Sequence, residues 1–236
     1  MPSIAVALLL PLLLGLGFWQ LDRATQKRAI EEDFAAGDRI AVSPTAAELE
    51  RFARYRQVSL SGRFDGSRQF LLDNMTDGGA AGYHVLTPFR PEGWERSILV
   101  NRGWVRKDFS DPLPPAVDID GQTREIRGRL ARLPRPGIAL SGDGSDGGSG
   151  DGDWPRVVQF PVMESLAEAL GRPLAGRALL LDPEAPDGFL RRWQPAGLGP
   201  ERHIAYAVQW FALAATLLVI YFVVNWKRKE HDGTDD

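Results

Sequence analysis

The stretch IAYAVQWFALAATLLVIYFVVNW, residues 204–226, decides the fold, because it runs for 23 residues without a charged side chain. A helix of that length covers about 35 Å, enough to cross the hydrocarbon of a bilayer with some tilt. His203 stands one residue before it, and Lys227, Arg228 and Lys229 follow at once. Toward the N-terminus a second uncharged run, IAVALLLPLLLGLGFWQL at residues 4–21, is about 27 Å long as a helix. The economical reading is a membrane helix at 4–21, one extramembrane domain at 22–202, a second membrane helix at 204–226 and a charged tail at 227–236.

The first span competes with a cleaved signal peptide. No basic stretch precedes it, no A-x-A site follows it, and it runs into Trp19 and Gln20, which suit an interfacial anchor, so an uncleaved helix is expected. The basic cluster after residue 226 favours that end in the cytoplasm, whereas Arg23, Lys27 and Arg28 follow the first helix on the opposite side. Long domains translocate largely regardless of charge, so both termini are placed inside and the domain outside. Met1 opens directly onto the span with no Arg-rich transit segment, and a bacterial inner membrane with a periplasmic domain is expected.

The tail takes three of the 28 Lys and Arg residues and four of the 31 Asp and Glu, and the spans take none, so the domain carries 25 basic and 27 acidic residues. It has no basic field of the kind nucleic acid requires. Without a cysteine there is no disulfide, thiolate metal site or cysteine nucleophile.

Residues 22–34 lack Gly and Pro, so the first helix continues out of the membrane, with Gly37 as its stop. Thr45 with Glu48 forms a capping box for a helix over 46–53. The period then changes from 3.6 to 2. Val58, Leu60, Gly62 and Phe64 alternate with polar residues up to a turn at Asp65-Gly66, and residues 69–74 supply a hairpin partner. Further strands are expected at 83–89, 97–101 with 104–105, 123–130, 157–160 and 178–181, and a helix at 162–170 ends at Gly171. The domain is therefore β-rich, an antiparallel sheet or small barrel, and the whole chain an α+β membrane protein. The segment SGDGSDGGSGDGD, residues 141–153, reads as a flexible loop; its alternating aspartates offer calcium ligands, but no EF-hand spacing with a terminal Glu is present.

Signatures of hydrolases and nucleotide-binding enzymes are absent: no G-x-S-x-G elbow, Walker loop, G-x-G-x-x-G after a strand or H-E-x-x-H. Of three histidines, His231 lies in the charged tail and His84 in a strand, where a structural role is expected. His203 differs, since it stands at the entrance of a span with Tyr206, Ala207, Trp210 and Ala214 on its helical face. A neutral imidazole there can ligate iron while a flat apolar cofactor lies on the aromatic surface, but composition by itself favours a plain interfacial histidine with an aromatic belt. Gln209 is a polar group inside the span and needs a partner on the first helix or in another protein. Gly15 and Gly17, with Ala207, Ala212, Ala214 and Ala215, allow the two helices to approach closely.

Five blocks in order carry a resemblance: GFWQLDRATQKR at 17–28, GRFD at 62–65, GYHVLTPFR at 82–90, ILVNRGWV at 98–105 and PERHIAYAVQWFALA at 200–214. Flanked by two spans, they make the chain similar to the Surfeit-locus protein family, the membrane factors that assist cytochrome c oxidase assembly. The resemblance implies a non-enzymatic assembly factor that helps deliver haem a to, or stabilise it in, the main catalytic subunit of the oxidase. It implies other assembly factors, and a haem a biosynthesis enzyme, as partners beside the bilayer. By motif match His203 falls on the family's second-helix histidine, associated with haem binding in bacterial members, which reverses the preference left by composition. The ring would then lie against Tyr206 and Trp210 and the propionates near Arg23 or Arg202. Arg202 stands where some members carry a neutral amide, and the 141–153 loop is no hallmark of the family. The alternative is a scaffold that holds an oxidase subunit and touches no haem. An extracytoplasmic enzyme has no supporting motif.

Overall fold

A computed structural model describes residues 2–36, 41–110, 115–133, 154–195 and 199–232; the expectations for Gly37 and for the 141–153 loop fall outside these residues. The elements in chain order are α1 (Pro2–Ala36), α2 (Ala46–Leu49), β1 (Gln57–Phe64), β2 (Phe70–Asp77), β3 (Ala80–Pro91), β4 (Ser97–Arg106), β5 (Thr123–Ala131), β6 (Arg156–Val158), α3 (Met163–Leu170), β7 (Leu174–Leu181) and α4 (Pro200–Asp232). They divide into two compact units, one made of Met1–Asp33 with Pro195–Asp236 and the other of Phe34–Gln194.

The first unit is a pair of helices, each long and apolar enough to cross a membrane. Their most apolar windows are only 6% and 11% buried, which sets them apart from the core helices of a soluble protein. In α1, Val6, Leu10, Leu13, Gly17, Gln20 and Ala24 are buried or half-buried; in α4, His203, Ala207, Trp210, Ala214, Leu217 and Tyr221 are. Alternating steps of four and three residues keep one seam of each helix facing the other, the pattern of a helix pair with left-handed supercoil. The pair is antiparallel, since Ser3 Oγ meets Tyr221 OH at 3.1 Å at one end and Gln20 meets His203 at the other. Gly17 is required where they touch: a Cβ there would lie 2.5 Å from the Phe211 ring, whose centroid is also 5.3 Å from that of Phe18. Gly15, expected to share this role, has nothing near it, and Ala212 and Ala215 are exposed, because they lie off the seam.

The second unit is a seven-stranded sheet in the order β1-β5-β7-β4-β3-β2-β6 with an added β1–β3 pairing. That pairing closes five strands, β1, β5, β7, β4 and β3, into a small barrel. Closure is brief, running from Gly62↔Pro91 to Phe64↔Phe89, and Gly62 permits it because a Cβ would sit 2.2 Å from the Arg90 carbonyl oxygen. Inside lie Leu60, Phe64, Phe89, Ile98, Val100, Ile126, Leu130, Leu179 and Leu181. The alternate residues Leu99 and Ala178 point the other way, into a second cluster with Phe70, Leu72, Leu86, Leu166 and Leu170 under α3.

Most pairings are antiparallel, but β4–β7 and β2–β6 are parallel. Between β6 and β7 the chain passes through α3, and such a helical crossover returns it in the same direction. The parallel pair β4 and β7 reads ILV and ALLL, because side chains on both faces of these strands are buried, with Leu180 alone of the seven half-buried. The expected hairpin between β1 and β2 is not formed; β1 pairs with β3 and β5, and β2 with β3 and β6. The turn at 65–69 instead buries Gln69, whose amide donates to Gly66 O and Val117 O at 3.0 Å each, and this redirects the chain away from β1.

Local signals are met closely. Thr45 and Glu48 form the reciprocal capping box, although the regular helix ends at Leu49, and Gly171 closes α3 in the left-handed conformation at φ +66°. Helix α1 continues unbroken to Ala36, with Pro11 accommodated inside its apolar part.

Candidate functional site

Two regions hold the chemistry-bearing residues singled out by the sequence. In the barrel, the blocks GYHVLTPFR and ILVNRGWV are the adjacent strands β3 and β4. Their register steps from Leu86↔Asn101 to His84↔Trp104, so β4 carries one extra residue, a bulge at Arg102 and Gly103, and Gly103 meets it with φ +116°. The bulge turns Arg102 inward, where it is 3% exposed. Its Nη1 donates to Gln69 Oε1 at 3.1 Å and Val117 O at 2.8 Å, its Nε donates to Asp187 O at 2.7 Å, and its plane lies 4.8 Å from the Phe189 ring. Thr87 Oγ1 completes the group by donating to Gln69 Oε1 at 2.6 Å. Burial pulls the Arg102 pKa down to about 10, so the group stays cationic at neutral pH.

His84 belongs to the same fabric. Asn101 Nδ2 donates to its Nδ1 at 3.1 Å, Asn101 Oδ1 accepts from the Gly103 amide at 3.1 Å, and Trp193 packs edge-on at 5.7 Å. Burial depresses its pKa to about 4, which keeps the ring neutral. These two blocks therefore form a satisfied polar brace, and the structural role expected for His84 is what its contacts describe. Among the described residues no group of three or more His, Cys, Asp or Glu comes together to hold a metal ion.

The helix pair places its polar groups at the ends of the seam. His203, in the first turn of α4, is half-buried against α1, and its Nδ1 lies 2.8 Å from Gln20 Oε1. Trp210 lines the same seam two turns on, while Tyr206 lies on the flank and is 45% exposed. Arg23 is exposed on α1, one turn from Gln20, where it donates to Gln26 Oε1 at 2.9 Å and stacks 5.6 Å from the Trp19 ring. Arg202 is exposed, and its side chain has no hydrogen bond or ion pair among the described residues. Gln209 is exposed too and meets no partner on α1, contrary to one of the two expectations for it, because it lies off the seam.

Gln20 as the partner of His203 is the contact that sequence reasoning missed. The two are 183 positions apart. The signal was that both stand at the polar edge of a span, where antiparallel helices of matched length must bring them together.

The SURF1 family model matches residues 7–215, a range that holds most of α1, the barrel and the first half of α4. The chain belongs to the SURF1 family. It is 27% identical to a SURF1-like protein of Monosiga brevicollis over 93% of this chain and 85% of that one. It is 24% identical to a SURF1-like protein of Rickettsia felis over 94% and 95%. An uncharacterized SURF1-like protein of Mycobacterium bovis is 29% identical over 77% of this chain and 66% of its own length. The SURF1 family is known broadly as one of oxidase assembly factors rather than enzymes, and it is membrane-associated, in keeping with the two apolar helices here.

Proposed function

We propose that this SURF1-family chain assists assembly of cytochrome c oxidase by handling haem a at the outer edge of a bacterial inner membrane. The observation that carries the reading is the position of His203: among the described residues it is the one histidine of the helix pair's seam, at the polar boundary, with only its Nδ1 engaged. The residues suit such a group. One imidazole nitrogen has no hydrogen-bond partner among the described residues, Trp210 and Tyr206 offer flat apolar surface beside it, and Arg202 and Arg23 offer cations at the same depth for carboxylates. Haem a would supply an iron that an imidazole nitrogen could ligate; the chain's own part would be to hold the imidazole, cover the ring and pair the propionates. Arg202 is better disposed for this than Arg23, which already serves Gln26 and Trp19. A carrier must also let go, and two exposed arginines with a partly open aromatic face suit moderate affinity.

The partners in this reading are the main catalytic subunit of the oxidase, other assembly factors and a haem a biosynthesis enzyme. The barrel is placed in the periplasm and Lys227, Arg228 and Lys229 in the cytoplasm. A cysteine at Ser149 should react with an impermeant maleimide in intact spheroplasts, and one at Thr234 should not. The decisive experiment co-expresses the full chain with haem a biosynthesis enzymes and records its absorption spectrum after purification in detergent. A haem a spectrum is expected. A chain that never carries haem, yet binds the immature catalytic subunit, is instead a scaffold.

A further inference from the structure

The contact between His203 and Gln20 fixes more than a position. An amide oxygen carries no hydrogen and can only accept, so the 2.8 Å bond to Gln20 Oε1 requires the hydrogen to sit on His203 Nδ1. A neutral imidazole has one N–H, and the lone pair is then left on Nε2. The neighbours on the seam, Gly17, Ala24 and Ala207, are apolar and buried, so none of them competes for either nitrogen. His84 in the barrel shows the opposite arrangement, because the donor there is an amide nitrogen, Asn101 Nδ2, and Nδ1 is the acceptor. As neutral rings, His203 and His84 are thus held in opposite tautomers by opposite ends of a side-chain amide.

We propose that Gln20 is a positioning residue for the haem site: it holds His203 as the Nδ1–H tautomer and aims the Nε2 lone pair at an iron. This rests on the reading of His203 as the ligand and adds what orients it. In metal sites the hydrogen bond to the far nitrogen of a ligating imidazole sets ring orientation and ligand basicity, and its loss typically costs about 10–100-fold in affinity. A neutral amide is a weaker acceptor than a carboxylate, so Gln20 orients the ring without making it a strong electron donor. That balance fits a site that binds and then releases.

The test uses the full chain in detergent with 15N-labelled histidine, and needs no haem for its first arm. Ring-nitrogen shifts should show His203, identified by the signal lost in His203→Ala, with hydrogen on Nδ1. In Gln20→Leu that preference should vanish while the His84 signals stay put. In the haem-loaded protein, Gln20→Leu should lower affinity about 10–100-fold. Gln20→Glu, which keeps an acceptor and strengthens it, should retain haem and shift the iron's reduction potential to more negative values. Hydrogen on Nε2 of His203 in the unaltered chain, or shifts and affinity indifferent to Gln20→Leu in a protein of normal abundance and helicity, would overturn the proposal. A chain that carries no haem at all overturns the ligand reading, and the ring shifts still decide the tautomer.

Discussion

The barrel and the helix pair each enclose a histidine, and they treat it in opposite ways. In the barrel His84 lies in one of the most recognisable blocks of the sequence, yet Asn101 occupies its Nδ1, Trp193 packs against its ring, and burial keeps it neutral. It sits beside a brace in which Arg102, Gln69 and Thr87 satisfy one another and the carbonyls of Val117 and Asp187. Along the seam of the helix pair polar groups are few, and among the described residues the side-chain bond between the helices at the outer end, Gln20 to His203, holds one imidazole nitrogen. A motif can be memorable because the fold cannot close without it, whereas a functional group has to keep something unspent. Buried polar networks specify a structure when complete, and the incomplete one is where a ligand fits.

The contrast can be broken first at Arg102. Arg102→Met removes charged donors from Gln69, Val117 and Asp187 and should cost the barrel on the order of 4 kcal/mol, measured by denaturant unfolding of the full chain in detergent, with the helix pair still formed. The next effect is on pH. The His84 pKa is about 4 when folded and near 6.5 when unfolded, so the unfolded chain takes up the proton first as pH falls. Barrel stability should therefore be level above pH 7 and drop between 6.5 and 4, by up to about 3 kcal/mol, and His84→Leu should remove that slope. On the membrane side, Gly17→Val forces a side chain into the Phe211 ring and should weaken pairing by about 2 kcal/mol. Slower disulfide formation between cysteines placed at Ser3 and Tyr221 would report it, since the chain has no thiol of its own. The smallest effect is expected at the capping box, where Thr45→Ala should lower barrel stability by about 1 kcal/mol.

What could be read from the sequence was local. An uncharged run announces a span, a two-residue period announces β1, and Thr45 with Glu48 or Gly171 marks a helix end, since each signal lies within a few residues of what it specifies. The family was legible because its blocks keep their order along the chain. Pairings between distant segments were not. Nothing near Asp65 says that β1 will close on Phe89 rather than fold back on β2, because the cause is Gln69 reaching Val117, 48 residues away. The bulge that turns Arg102 inward depends on Gly103 taking a positive φ, which a glycine allows but does not announce. The shared helical face of His203 and Trp210 was legible from their spacing, and both lie on the seam, while Tyr206 flanks it and Arg23 is engaged by Gln26 and Trp19.

The central claim is that the boundary histidine binds haem and the barrel histidine does not. The direct measurement is the haem a spectrum of full-length His203→Ala beside that of His84→Leu, each co-expressed with the haem a biosynthesis enzymes and purified at matched abundance. Haem occupancy should collapse in His203→Ala and persist in His84→Leu at neutral pH. An unchanged spectrum in His203→Ala, or its loss in a folded His84→Leu protein, would contradict the account.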